Sequence, residues 1–89
     1  MDRIDYSKLR SLTARRLISA LERDGFYLDQ STGSHRHYRH PDGRKVTVSF
    51  HHPSDTFPPK TLKEIIEWQA RWSLQDLKRL KLIAKRGSS

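Results

Sequence analysis

Between Gly33 and Arg44 the chain sets His35, His37 and His40 among Arg36, Arg39 and Arg44, the densest mixture of imidazole and guanidinium groups in its 89 residues. Imidazole titrates near neutrality and can take or give a proton, while guanidinium is a fixed fork of donors matched to phosphate oxygens. Groups of these two kinds suit the binding or cleavage of a phosphodiester. Cutting RNA needs a base for the 2′-hydroxyl proton, an acid for the leaving oxygen and cations for the charged phosphorane; histidine with arginine or lysine supplies all three.

The same histidines raise a second chemistry, because His-x-His spacing on a strand puts two imidazoles on one side. A transition-metal site also needs third and fourth ligands and carboxylates behind them, and the surrounding arginines would repel a dication. The chain has no cysteine, so thiolate zinc sites and disulfides are excluded. Neither a metal nor another cofactor is expected. His40 flanks Pro41-Asp42-Gly43 and is read as shaping that turn. Trp68 and Trp72 could stack bases, but at helical spacing they are expected to pack in the core or on its flank.

Composition supports a polyanionic partner. Eighteen Lys and Arg against ten Asp and Glu give a net charge of +8, which favours nucleic acid, with an acidic protein or an anionic membrane surface as alternatives. No stretch approaches the length of a membrane span, and Met1 to Asp5 lacks the apolar core of a secretory signal. A cytoplasmic protein without a membrane partner is expected. The length suits one domain over 1–89, with a small core over about 12–84 and loose ends at 1–11 and 85–89.

The elements that must hold the cluster can be read from pattern. Thr13 to Asp24 reads as a helix with Thr13 as N-cap, Leu12 and Leu17 as a hydrophobic staple and Gly25 as the left-handed stop. Its Arg15, Arg16, Glu22 and Arg23 read as a solvated face. Phe26 to Gln30, His35 to His40 and Lys45 to Phe50 read as three strands, the last with Val46, Val48 and Phe50 on one side. If Tyr38 points inward, then His35, His37 and Arg39 point outward; a one-residue slip reverses this. His52 to Pro59 is a turn-rich connection. Lys60 to Arg71 reads as a helix with Leu62, Ile65, Ile66 and Gln69 on one side, and Ser73 opens another with Asp76 completing its cap. The order predicts an α+β fold with an α-β-β-β-α core and an additional C-terminal helix.

Gly33-Ser34-His35 followed by Tyr38, Pro41-Asp42-Gly43-Arg44 and Val46-Thr47-Val48 resembles the HicA (YcfA-like) family of bacterial toxins. Leu12-Thr13, Ala20-Leu21-Glu22 and Gly25-Phe26 agree with its first helix, and Thr61-Leu62 with Ile65-Ile66 agrees with its second. The resemblance runs from about Leu12 to Leu80 and rests on the order and spacing of short motifs. It implies a double-stranded-RNA-binding-like fold and a small metal-independent endoribonuclease acting on mRNA. It also implies the toxin of a type II toxin-antitoxin pair, neutralised by a HicB-like antitoxin protein. The family's catalytic histidine corresponds to His35. His37 stands where members commonly carry an aliphatic residue, Ser49 where they carry proline, Lys60 where they carry glycine and Arg71-Trp72 where they carry glycine-leucine.

The expected site therefore has His35 as general acid or base, with Arg36 and Arg39 as phosphate or transition-state contacts. Gly33 and Ser34 shape the start of the strand, and Lys45 is a further RNA contact. Two alternatives use the same fold. One is a non-catalytic double-stranded-RNA-binding module contacting phosphates through Lys60 and Lys63; the other is an inactive toxin-like protein that binds an antitoxin.

Overall fold

The computed structural model describes residues 3–83. The expected loose end at 85–89 lies outside the described residues. The order of elements is a 3₁₀ turn at Tyr6–Leu9, then α1 at Ala14–Arg23, β1 at Tyr27–Thr32, β2 at His35–Arg39 and β3 at Lys45–Ser49. These are followed by α2 at Pro59–Lys63, a π-helical segment at Glu64–Gln69 and α3 at Leu74–Arg79. This is an α+β fold in which helices accompany a three-stranded antiparallel sheet of order β1-β2-β3, in keeping with the expected α-β-β-β-α core.

Helix α1 begins and ends as its sequence dictates. The Thr13 hydroxyl oxygen accepts the Arg16 N–H at 3.3 Å, and Leu12 and Leu17 flanking that cap are both buried. At the other end the Gly25 N–H reaches the Glu22 carbonyl at 3.0 Å and the Phe26 N–H reaches Leu21 at 2.9 Å. That pair of bonds is the Schellman stop, and Gly25 takes the positive φ it requires, +106°. The connection after β3 completes the helix start: Ala14 and Arg15 donate their N–H groups to the Asp55 and Pro53 carbonyls at 2.8 and 3.0 Å. These are donors that a helix's first turn leaves without intrahelical partners.

Leu17, Ala20 and Leu21 of α1, Tyr38 of β2, Val46 and Val48 of β3, and Leu62, Ile65 and Ile66 beyond them join one buried cluster. Full burial of each large aliphatic side chain contributes ~1.5–3 kcal/mol. Residues 3–11, expected to lie outside the core, send Leu9 into it at 1 % exposure. The Tyr6 hydroxyl donates to the Glu67 carboxylate. Ile4 and Tyr6 also pack against the core, so three apolar side chains and one long-range bond dock this short segment.

The second long helix departs from expectation. Only Pro59–Lys63 is α-helical; from Glu64 the turns widen to π geometry, with the Ala70 N–H bonding the Ile65 carbonyl at 2.8 Å. A wider turn advances each residue by less than the ~100° of an α-helix. Ala70 therefore arrives at the core, fully buried, while Trp68 swings out to 71 % exposure. Trp72 packs inside as expected, at 3 % exposure. Between the two, Arg71 holds φ +57°, a left-handed conformation that favours glycine over any side chain.

Beyond Arg71, Ser73 and Asp76 form the full capping box of α3. Its far end is held from α1: the Arg16 and Arg23 guanidinium groups donate to the Lys81 and Leu80 carbonyls at 3.2 and 2.8 Å. Half of the supposedly solvated α1 face thus serves as a C-terminal clamp. Asp24, at the end of α1, gathers Trp72 Nε1 and Arg79 at 2.8 Å each and Arg44 at 3.1 Å. Burial alone would push its carboxyl up, but hydrogen bonds from Trp72 and Arg79 and the charge of Arg44 outweigh this and hold it below the ordinary value.

Candidate nucleic-acid interface

Register decides which face each candidate occupies. Tyr38 pairs with Val46 and Arg36 with Val48, and since Tyr38, Val46 and Val48 are buried, the even-numbered residues of β2 face the helices. Burial pushes the Tyr38 hydroxyl up, so it stays protonated and offers no base. The odd-numbered residues face solvent. His35 stands opposite Ser49, His37 opposite Thr47 and Arg39 opposite Lys45.

Strand β1 extends the same face. Thr32 pairs with His35, Gln30 with His37 and Tyr27 with Arg39; Asp29 is the extra residue of a bulge between Leu28 and Gln30. The bulge keeps both Gln30 and Tyr27 opposite odd-numbered β2 residues, whereas an unbroken ladder would turn one of them over. Asp29 meets Arg39 at 3.5 Å, with both side chains roughly half exposed. Exchange with solvent weakens such a pair.

Gly33 and Ser34 form the two-residue turn between β1 and β2, with φ +59° at Gly33. Within this two-residue turn the first central position, Gly33, has positive φ and Ser34 does not, the pattern of the hairpin turn that takes glycine at its first position. The Ser34 carbonyl accepts the Phe50 N–H at 3.1 Å. The turn and this bond fix the start of β2, and His35 emerges exposed from it. His37 is half-buried, and its Nδ1 lies 3.0 Å from Thr47 Oγ1.

The expected cluster is divided by the sheet. His35, Arg39 and Lys45 share the solvent face. Arg36 lies on the other side, its guanidinium 4.9 Å from the centre of the Phe50 ring, in a hollow lined by Arg15, Ile18 and Glu22 of α1. His40 belongs to the turn: Nε2 meets the Asp24 carbonyl at 2.8 Å and Nδ1 meets the Asp42 N–H at 3.1 Å. The tautomer carrying its proton on Nε2 satisfies both. The Gly43 N–H closes the turn on the His40 carbonyl at 2.9 Å. Arg44 is likewise engaged, bonded to Asp42 and Ala70 and stacked over Phe26.

Among the described residues no group of three or more His, Asp or Glu side chains converges as metal ligands, and no helix is long and apolar enough to cross a membrane. The solvent face can do two things chemically. Its imidazoles can exchange protons, and its arginine and lysine can bind anionic oxygens.

Comparison with known protein families decides the affiliation. Residues 14–72, roughly two thirds of the 89-residue chain, match the family of the HicA toxin of bacterial toxin-antitoxin systems. The chain belongs to the HicA toxin family. No curated protein matches it. As a HicA toxin it is one half of a toxin-antitoxin system, which implies an antitoxin partner. The match begins at the first residue of α1 and ends at Trp72, so in this HicA toxin it takes in the whole sheet and its solvent face. The 3₁₀ turn and α3 lie outside it. Sequence reasoning left Tyr27 unassigned and expected Trp68 to pack, whereas both are exposed. Tyr27 could be placed only with the β1 bulge in hand, and Trp68 only with the π-turn.

Proposed function

We propose that this HicA toxin is an endoribonuclease that cleaves mRNA without a metal, with His35 as its general acid or base. The observation that carries the reading is the position of His35 in a chain of this family: at the first residue of β2, fixed by the Gly33-Ser34 turn, on the solvent face that also presents Arg39 and Lys45. In the proposed reaction a histidine takes the 2′-hydroxyl proton as O2′ bonds to phosphorus, and the bond to O5′ breaks as that oxygen is protonated. The products are a 2′,3′-cyclic phosphate and a 5′-hydroxyl. Arg39 and Lys45, farther along the same face, bind phosphate oxygens of the strand flanking the scissile linkage. His37, two residues along on the same face, is positioned to serve as the second proton-transfer group.

Arg36 is left out of the proposed contacts because the sheet separates it from His35. Gly33 and Ser34 act through the turn. A HicB-like antitoxin would neutralise the toxin by covering this face, where its acidic groups could replace phosphate. The test is His35→Ala, compared with the unaltered protein for RNA cleavage in chelator and for growth arrest. The variant should fold and lose both; full activity in a folded variant removes His35 from the mechanism.

The exposed Lys60 and Lys63 of α2 support the second reading, a non-catalytic duplex binder. Retention of double-stranded RNA without cleavage of any RNA would select it.

A further inference from the structure

Tyr27 pairs with Arg39 across β1 and β2, and Arg39 pairs with Lys45 across β2 and β3. The three side chains form a row on the solvent face, with adjacent strands ~4.8 Å apart. Beyond the edge of β3 the row continues to Trp68, which lines with Lys45 a depression of about 350 Å³. Lys45 also lines a second hollow, of about 180 Å³, with His37 and Arg39. The surface is therefore continuous from His37 to Trp68. Trp68 is 71 % and Tyr27 50 % exposed, so each end of the row carries an aromatic ring that the fold does not cover, with two cations between them.

We propose that the row Tyr27, Arg39, Lys45 and Trp68 is a binding subsite for unpaired RNA, in which bases stack on the two rings and the linking phosphates meet the two cations. The proposal rests on the ribonuclease reading and deepens it by naming the substrate as single-stranded. Aromatic rings flanking a cationic track are the arrangement that holds single strands, because every unpaired base offers a π-face. A duplex keeps its base faces inside the helix and offers mainly phosphates and 2′-hydroxyls. A protein partner would be matched by a contiguous apolar patch, whereas here the rings are separated by Arg39 and Lys45. Asp29 pairs with Arg39 half-exposed, a contact readily exchanged for phosphate, while Asp42, which lines the depression beside Lys45 and Trp68, is engaged by Arg44. Along β2 the row stands four residues from His35, ~13 Å at the rise of a strand. It therefore holds nucleotides flanking the scissile linkage and leaves that linkage to His35.

The full-length His35→Ala protein, which should bind without cutting, provides the test. It is titrated with a short mixed-sequence single-stranded oligoribonucleotide and with the corresponding duplex, following tryptophan emission. The single strand should quench Trp68 and the duplex should not. Adding Trp68→Ala or Tyr27→Ala should weaken single-strand binding by about 5- to 100-fold, while Trp68→Phe should retain binding and lose the quenching. Unchanged affinity in both alanine variants would overturn the subsite, as would equal quenching by the duplex. So would loss of antitoxin binding in Trp68→Ala with RNA affinity intact, which marks a protein-docking surface instead. Cleavage by otherwise unaltered protein separates the two ideas: if it persists unchanged in Trp68→Ala, only the subsite fails, and if the unaltered protein neither binds nor cuts RNA, both fail.

Discussion

Trp72 Nε1–H donates to Asp24 Oδ2 at 2.8 Å, tying the joint between the π-segment and α3 to the end of α1. Arg44 and Arg79 converge on the same carboxylate. Asp24→Asn keeps an acceptor for the indole but removes the charge facing two guanidinium groups, and should cost about 1–3 kcal/mol at neutral pH by chemical denaturation. The pH dependence has a definite sign. The folded-state carboxyl lies below its ordinary value of 3.8, so its contribution is fully present above that value and is lost as pH falls through the folded-state value. The stability gap between the unaltered protein and Asp24→Asn should therefore narrow below about pH 4.

A methyl group on Gly25 would stand 2.8 Å from His40 Nε2, and φ there is +106°. The histidine is held in place by the Asp24 carbonyl and packs edge-on against Phe26, so it cannot swing aside cheaply. Gly25→Ala should destabilise by about 2–3 kcal/mol. In a His40→Ala background the steric part disappears, and the same substitution should cost about 1 kcal/mol. Thermal denaturation of the double-mutant cycle checks both values.

Arg71 occupies the left-handed region at φ +57°, where a side chain is disfavoured by about 1–2 kcal/mol relative to glycine. Arg71→Gly should stabilise the fold by about 1 kcal/mol, less the entropy that glycine returns to the unfolded chain. Alanine at the same position relieves none of the backbone strain, so Arg71→Ala should show no such gain in midpoint temperature.

The two faces of β2 separate the roles of its arginines. Arg39→Ala and Lys45→Ala should each lower RNA cleavage about tenfold, with losses that shrink as salt rises. Arg36→Ala should leave cleavage within about threefold and instead cost about 0.5–1 kcal/mol of stability through its contact with Phe50. Cleavage rates across a salt series, measured beside denaturation curves, distinguish the two behaviours.

Local physics made much of this fold legible. The Thr13 cap, the Gly25 stop, the Pro41-Asp42-Gly43 turn, the alternation of Val46 and Val48 and the Ser73-Asp76 box each depend on residues within a few positions of one another. The motifs that carry the family resemblance lie on these same elements. Period-two alternation grouped His35, His37 and Arg39 on one face of β2 and left open which face points inward.

What the sequence by itself determined was therefore the order of elements, the division of β2 into two alternating faces and the affiliation those motifs carry. Tertiary structure alone decided that the face of β2 carrying Arg36 and Tyr38 is the inward one, that Asp29 bulges so that Tyr27 joins the solvent face, and that Trp68 leaves the core while Trp72 enters it. It also decided that Asp24 becomes the meeting point of Trp72, Arg44 and Arg79. The physical reason is the same in each case. Caps and turns are settled by bonds across three or four residues, whereas a bulge, a widened helical turn or a shared carboxylate is settled by which packing leaves buried groups satisfied across the whole chain.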